Sequence, residues 1–291
     1  MASPRLALPA LLLGAAGIGF SPIFMRLSDV DPAASAFHRV FLALPLIWGW
    51  RLIEKNLPDP PPGPASRRDY LVFLLSGFFF AGDLAFWHTA VAYTSVANAT
   101  LLANFAPVFV TLAGFVLFGE RFSKLFMAGL VLATMGAVIL LGDSLTISSK
   151  NLFGDMLGLI TAFFYAGYIV SVSRLRSKFS SATFMAWGTL VTVVFLFPVA
   201  WFFSSSMLAA TLQGWLILLG LAWFSHTGGQ GMIAYALAHL PAAFSSVVLL
   251  MQPVIAAIAA WLILSEGMSP WQFAGAAVIL CGVYLARRGS R

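Results

Sequence analysis

Apolar residues run along this chain in stretches of about 20, separated by short polar or charged interruptions, from near the first residue to near the last. A helix needs roughly 20 mostly apolar residues to cross the hydrocarbon core of a bilayer, so each stretch reads as a candidate span. The pattern predicts ten, at residues 7–27, 32–53, 70–91, 96–118, 124–142, 152–174, 181–204, 213–236, 242–264 and 270–287. Composition agrees: 60% of residues are hydrophobic and only 9% are charged, a balance that a water-soluble domain of this length could not tolerate. The intervals between spans leave no room for a soluble domain. An all-α integral membrane protein is expected.

Charge adds orientation. The chain holds 16 Lys and Arg against 10 Asp and Glu, and the cations fall unevenly on alternate loops. Membrane insertion retains Lys and Arg of short loops on the cytoplasmic side. With a cytoplasmic amino terminus, the inner loops and tails carry Arg5, Arg51, Lys55, Arg67, Arg68, Arg121, Lys124, Arg174, Arg176, Lys178, Arg287, Arg288 and Arg291, and the outer loops only Arg26 and Lys150. Both termini are therefore expected in the cytoplasm, and the basic balance gives no reason to expect nucleic acid as a partner. The stretch "LALPALLLGAAGIGF" behind Arg5 also has the outline of a secretory signal. Its cleavage would leave nine spans and remove one helix from the repeat described next. Cys281 is the only cysteine, which excludes an internal disulfide and argues against a cysteine-built metal site. No metal and no cofactor is expected.

The chain repeats itself. Residues 92–136 lie over 238–282 without a gap, an offset of 146, and Pro107 meets Pro253, Glu120 meets Glu266, Ser123 meets Ser269, and Gly129 and Gly136 meet Gly275 and Gly282. Pro107 and Pro253 fall mid-span, where a missing backbone donor bends a helix and can serve in gating. Ser123 and Ser269 precede the last helix of each copy as caps, the glycines allow close helix contact, and Glu120 and Glu266 fall at interfacial turns. The division predicted is 1–145 and 146–291. Five spans per copy is an odd number, so the second copy must enter from the opposite face, giving inverted repeats. That arrangement suits a carrier that alternates between outward-open and inward-open states.

These residues resemble a known family. The ten-span layout, the spacings Pro107 to Glu120 and Pro253 to Glu266, the pairs Gly129 with Gly136 and Gly275 with Gly282, and "PAASAFHRVFLALP" with Arg39 are together similar to the drug/metabolite transporter superfamily, EamA branch, over nearly the whole chain. The aromatic-rich spans look most like the YddG-type amino-acid exporters. The resemblance implies ten transmembrane helices as two inverted five-helix repeats, cytoplasmic termini, no ATPase subunit, and export of amino acids or small amphipathic metabolites across a bacterial inner membrane. The second copy departs from the first at Arg39, aligned near Ala186, and at Asp83, aligned with Gly229.

Polar groups inside spans point to the site, because a charge at mid-bilayer costs at least ~2.5 kcal/mol and usually faces a partner or a wet cavity. In "FAGDLAFWHTAVAYT" (80–94), Asp83, Trp87, Ala90 and Thr94 share one helix stripe, while Ala81, Ala85, His88, Ala92 and Ser95 form a nearly opposite one. The first stripe is expected to line a cavity, with Asp83 binding a substrate ammonium or a transferable proton, or bonding to Arg39. His88 divides between packing and the site. Thr100 and Asn104 on "NATLLANF", Ser246 opposite Thr100 in the second copy, and Tyr165, Tyr168, His226 and Gln230 complete the candidate substrate site. It would be enclosed by the first, third, fourth, sixth, eighth and ninth spans. Of the aromatics Trp87, Trp223, Tyr165, Tyr168, Phe105 and Phe20, a minority should present ring faces to a ligand. "SHTGGQG" (225–231) should weaken the eighth helix.

Other functions fit less well. A serine nucleophile in "GFS" (19–21) with His88 as base would make an intramembrane enzyme, but no metal-binding or phosphate-cradling motif accompanies it. A channel would want a ring of charged or carbonyl ligands. Nucleotide sugars would want several intramembrane cations, and only Arg39 is present. Lipophilic cations could use Asp83 and the aromatics and stand as the alternative substrate class. The expected partners are an amino-acid-like small molecule and membrane lipid, with the oligomeric state open, a monomer included.

Overall fold

A computed structural model describes residues 4–94, 96–142, 151–265 and 267–290. Ser95, Lys150, Glu266 and Arg291 lie outside the described residues. Those described form helices and short connections, with no strand among them. Ten helical bodies follow in order: α1 (Ala7–Leu27), α2 (Pro32–Lys55), α3 (Arg67–Tyr93, capped at Thr94), α4 (96–118), α5 (Lys124–Gly142), α6 (Leu152–Leu175), α7 (Ser181–Phe203), α8 (212–236), α9 (Ala242–Leu264) and α10 (Pro270–Gly289). Eight of them, all but α8 and α10, are long and apolar enough to cross a membrane. The run through α8 is interrupted by a π-helical stretch, Leu221–Gln230, around the glycines of "SHTGGQG", where a one-residue slip in the hydrogen-bond ladder is accommodated. α10 is made less apolar by Gln272 near its start and by Arg287 and Arg288 in its last turn.

Glycines set the closest crossings. Gly129 lies against Gly282 and Ala286, Gly136 against Gly275 and Ile279, and Gly275 against Leu140, so residue numbers rise along α5 as they fall along α10. The two helices, equivalent in the repeat, run antiparallel. The same holds for α2 and α7, where Phe37 meets Phe197 and Trp48 meets Trp187. It holds too for α1 against α8, where Gly14 meets Ile233 and Gly220 meets Phe24, and for α3 against α6, where Gly82 meets Phe164 and Gly154 meets Thr94. The offset of 146 carries α3 onto α8 and α6 onto α1. Phe80 and His226, equivalent positions themselves, stack on each other with ring centroids 5.5 Å apart.

Both copies break their fourth helix at the same place. α4 consists of Val96–Ala103 and Ala106–Phe118, and α9 of Ala242–Leu249 and Met251–Leu264. Pro107 and Pro253 therefore sit in the first turn after a break, where the missing N–H costs least, rather than inside a continuous bent helix. Both helices then end on a left-handed residue at equivalent positions, Gly119 at φ 64° and Ser265 at φ 55°. Ser123 and Ser269 cap the following helices through Phe126 N (3.0 Å) and Gln272 N (3.3 Å). Large apolar side chains such as Leu112, Phe115, Trp201, Phe202 and Leu262 face outward, as a bilayer-embedded bundle requires.

The two ends are tied by different chemistry. At the end carrying most of the cations, Lys178 Nζ lies 2.5 Å from Asp69 Oδ1, and Ser180 donates to Glu54. At the other end Asp31 accepts from Ser205 N (2.7 Å) and Oγ (2.6 Å), and Asp29 from Thr211 N (3.1 Å) and Oγ1 (2.9 Å). The Ser205 hydroxyl and then its N–H hold the Asp31 carboxyl below the usual carboxylate range.

Two outcomes follow from this packing. A Cβ on Gly136 would stand 2.6 Å from the Ile279 nitrogen and 2.9 Å from the Gly275 oxygen, so Gly136→Val should lower the detergent-solubilised melting temperature by the equivalent of ~1–3 kcal/mol. Gly142→Ala, with open space around it, should leave that temperature unchanged. Because folding lowers the Asp31 pKa, its contribution is present above about pH 4 and is lost as pH falls through the folded value. Thermal unfolding of Asp31→Asn should accordingly show a shallower decline with acidification than the parent.

Candidate functional site

The two broken helices and the aspartate stripe converge on one cavity. It has a volume of about 110 Å³, and its wall is drawn from α1 (Ile18, Gly19, Ser21, Pro22), α2 (Arg39), α3 (Phe80, Asp83, Leu84, Trp87), α4 (Ala103, Asn104), α6 (Thr161, Tyr165), α8 (Gln230) and α9 (Gln252). Local sequence explains the placement. α1 is interrupted at Phe20 ahead of Pro22, so Gly19 and Ser21 present backbone to the cavity. The break in α4 follows Ala103, and Asn104 Nδ2 donates to the Thr100 carbonyl at 2.8 Å, capping the interrupted turn. Asp83 and Trp87 are one helical turn apart on α3 and face inward together.

Arg39 and Asp83 give this cavity its character. Arg39 is 6% exposed, and its Nε has no hydrogen-bond partner on the protein, nor does Ser21 Oγ. Among the described residues no contact within 4.0 Å joins Arg39 to Asp83. The two opposite charges therefore face one enclosed volume without neutralising each other directly. Around them lie neutral polar groups already committed in part: Gln230 Nε2 donates to Tyr168 Oη at 3.0 Å, Gln252 Nε2 approaches Tyr165 Oη at 3.5 Å, and Thr161 Oγ1 donates to the Leu157 carbonyl at 3.0 Å.

Of the residues singled out from sequence, Asp83, Trp87, Asn104, Tyr165 and Gln230 come together on this wall. The others do not. His88 is 1% exposed, with Nδ1 2.7 Å from the Leu84 carbonyl and its ring edge-on to Trp87. Tyr168 stacks on Phe80 at 4.4 Å, buttressing the wall from behind. His226 meets Thr189 Oγ1 at 3.0 Å through Nε2. Ser246 turns its hydroxyl onto the Ala243 carbonyl of its own helix at 2.7 Å, and Thr100 does not reach the wall. Pro107 and Pro253 mark the breaks rather than the wall. Trp223 points outward and donates to the Leu42 carbonyl at 3.1 Å, and Phe20 packs edge-on against Phe224.

Ser21 and Gln252, which the sequence offers among the polar groups of a common centre, also line the wall, whereas Arg39, Phe80 and Thr161 are not expected there from sequence, and with Arg39 the whole of α2. The signal for Arg39 was present: it is the one cation more than two residues inside a predicted span. It had been weighed only as a partner for Asp83. Among the described residues no three His, Cys, Asp or Glu side chains come together as a metal site would require.

Comparison with known proteins agrees with this architecture. The EamA-like transporter family matches twice, over residues 5–142 and 152–288. An uncharacterized transporter of Archaeoglobus fulgidus is 30% identical over 278 residues, covering 90% of this chain and 91% of its own. A pseudopaline exporter of Pseudomonas aeruginosa is 27% identical over 74% of both chains. A probable amino-acid metabolite efflux pump of Escherichia coli is 26% identical over 86% of this chain and 94% of its own. A crystal structure 17% identical in sequence superposes with a TM-score of 0.82 over 99% of each chain, a likeness of fold. With both halves matched and one relative at this identity over nine-tenths of its length, the chain belongs to the EamA-like transporter family.

Proposed function

We propose that this protein is a secondary transporter of a bacterial inner membrane, with ten transmembrane helices arranged as two inverted five-helix repeats (1–145 and 146–291) and both termini cytoplasmic. It exports amino acids, aromatic and other neutral ones, and related small amphipathic metabolites. The antiparallel pairing of α5 with α10 supports the inversion, and the unequal placement of Lys and Arg supports the orientation. The ten crossings count α8 and α10 with the other eight, since each occupies the place of a predicted span in the repeat.

One observation carries the substrate class: Arg39 and Asp83 face the same cavity without pairing. Two opposite charges buried in a low-dielectric interior without direct contact remain costly, although each feels the other's field. A zwitterion offsets both at once, its carboxylate meeting Arg39 and its ammonium meeting Asp83. A lipophilic monocation, the alternative, gains from Asp83 and the ring faces of Phe80, Trp87 and Tyr165 but is repelled by Arg39. An intramembrane enzyme gains nothing from the duplication, and Ser21 and His88 do not meet: the His88 Nδ1 bonds within its own helix. At about 110 Å³ the cavity is smaller than the ~150 Å³ that holds benzene in a protein interior. An aromatic amino acid therefore requires it to widen, and bending at the breaks beside Asn104 and Leu250 supplies that motion.

Counterflow of labelled L-phenylalanine into liposomes containing only this protein tests the reading. Saturable counterflow is expected, and Asp83→Asn or Arg39→Gln should raise KM roughly tenfold or more, the loss of a charge-assisted bond of ~1.5–3 kcal/mol. Unchanged kinetics would remove these residues from the site. Ohmic, non-saturating flux would indicate a channel, and hydrolysis without flux an enzyme.

A further inference from the structure

A second cavity, of about 190 Å³, lies at the basic end between Val110, Gly114, Phe118 and Glu120 of α4 and its turn, Ser173, Arg174 and Ser177 of α6 and its turn, and Pro241–Ala243 at the start of α9. The same three helices that furnish Asn104, Tyr165 and Gln252 to the central cavity furnish this one. The steps from Asn104 to Gly114, Tyr165 to Arg174 and Gln252 to Ala243 each correspond to about 14 Å of helix rise. In a hydrocarbon core about 30 Å thick, that carries the second cavity from mid-membrane to one surface. At the intervening level of these helices, Ala106, Tyr168, Val247 and Leu249 are buried. The breaks at Asn104 and Leu250 lie beside those residues.

Its chemistry is divided. Arg174 lies 3.7 Å over the Phe118 ring, so its guanidinium is held in place on one side of the opening. α9 begins at Ala242 with Pro241 ahead of it and no side-chain cap; its first bonded N–H is that of Ser245, to the Pro241 carbonyl. The N–H groups at the head of α9 thus present the positive end of a helix to the cavity beside Arg174. The Glu120 carboxylate lies against Gly114 on the other wall, and no ion pair within 4.0 Å joins it to Arg174.

We infer that this cavity is an entry site on the transport route, where Arg174 and the head of α9 receive a substrate carboxylate and Glu120 its ammonium before the substrate passes on to the central cavity. The inference rests on the zwitterion-transport reading and adds a second, peripheral binding station to it.

Replacing Cys281 by Ser and Ser177 by Cys puts a single thiol on the rim of this cavity. L-phenylalanine should slow modification of that thiol by a methanethiosulfonate reagent at least fivefold, and L-phenylalaninamide, which lacks the carboxylate, should not. Arg174→Gln should abolish the protection, Arg174→Lys should retain it, and Asp83→Asn, which alters only the central cavity, should leave it intact. Absence of protection by L-phenylalanine, or equal protection with Arg174→Gln, would overturn the entry site. Protection without any counterflow would instead uphold the site and overturn the transport reading.

Discussion

Two opposite charges in an apolar bundle, Arg39 on α2 and Asp83 on α3, set the terms for the rest of the structure. Neither can face lipid at mid-membrane without a cost of several kcal/mol, and they do not close on each other. The fold must therefore enclose a polar volume for them. It does so by breaking α1 and α4 beside that volume, so that Ser21 and Asn104 stand at helix ends, and by bringing Gln230 and Gln252 from the second copy. Backbone groups freed at such breaks are tolerated in a membrane protein only where they line a cavity.

Duplication explains how the enclosure is built and why its contents are lopsided. The glycine crossing of α5 with α10 and the exchange of α1–α8 for α3–α6 relate the copies by an antiparallel two-fold, with Phe80 and His226 stacked where the copies meet. Charge does not follow the symmetry. At the offset of 146 the positions equivalent to Arg39 and Asp83 hold Met185 and Gly229, so the charged part of the lining is not duplicated. A scaffold able to exchange the roles of its halves suits alternating access, and an asymmetric set of charges suits recognition of a ligand whose two ends differ.

Much of this was legible in the sequence because it depends on periodicity. Eight of the ten spans, the repeat, the capping serines and the inward face of Asp83 with Trp87 follow from residue spacing alone. His88, one residue beyond Trp87, was left between packing and site. The structure shows it buried, because its ring nitrogen can satisfy itself on Leu84 one turn back, a choice that spacing does not reveal. Tyr168, His226 and Ser246, expected in the site, lie off its wall for the same reason: each finds a partner on the protein, and a polar residue with a partner is indistinguishable by pattern from one facing a cavity. Arg39 failed the other way. Its pairing with Asp83 was the natural expectation from sequence, and the structure instead places both on one cavity wall with no contact within 4.0 Å between them. The π-helical stretch in α8 could be anticipated as weakness around Gly228 and Gly229, but not as a defined slip in the ladder.

Recognition of both ends of a zwitterion is the central claim, and calorimetric binding to the purified wild-type protein tests it most directly, with L-phenylalanine, 2-phenylethylamine and 3-phenylpropionate as matched ligands. The account predicts that the zwitterion binds at least tenfold more tightly than either single-charge analogue. Equal or tighter binding of the amine would contradict it and make the cavity a site for lipophilic cations.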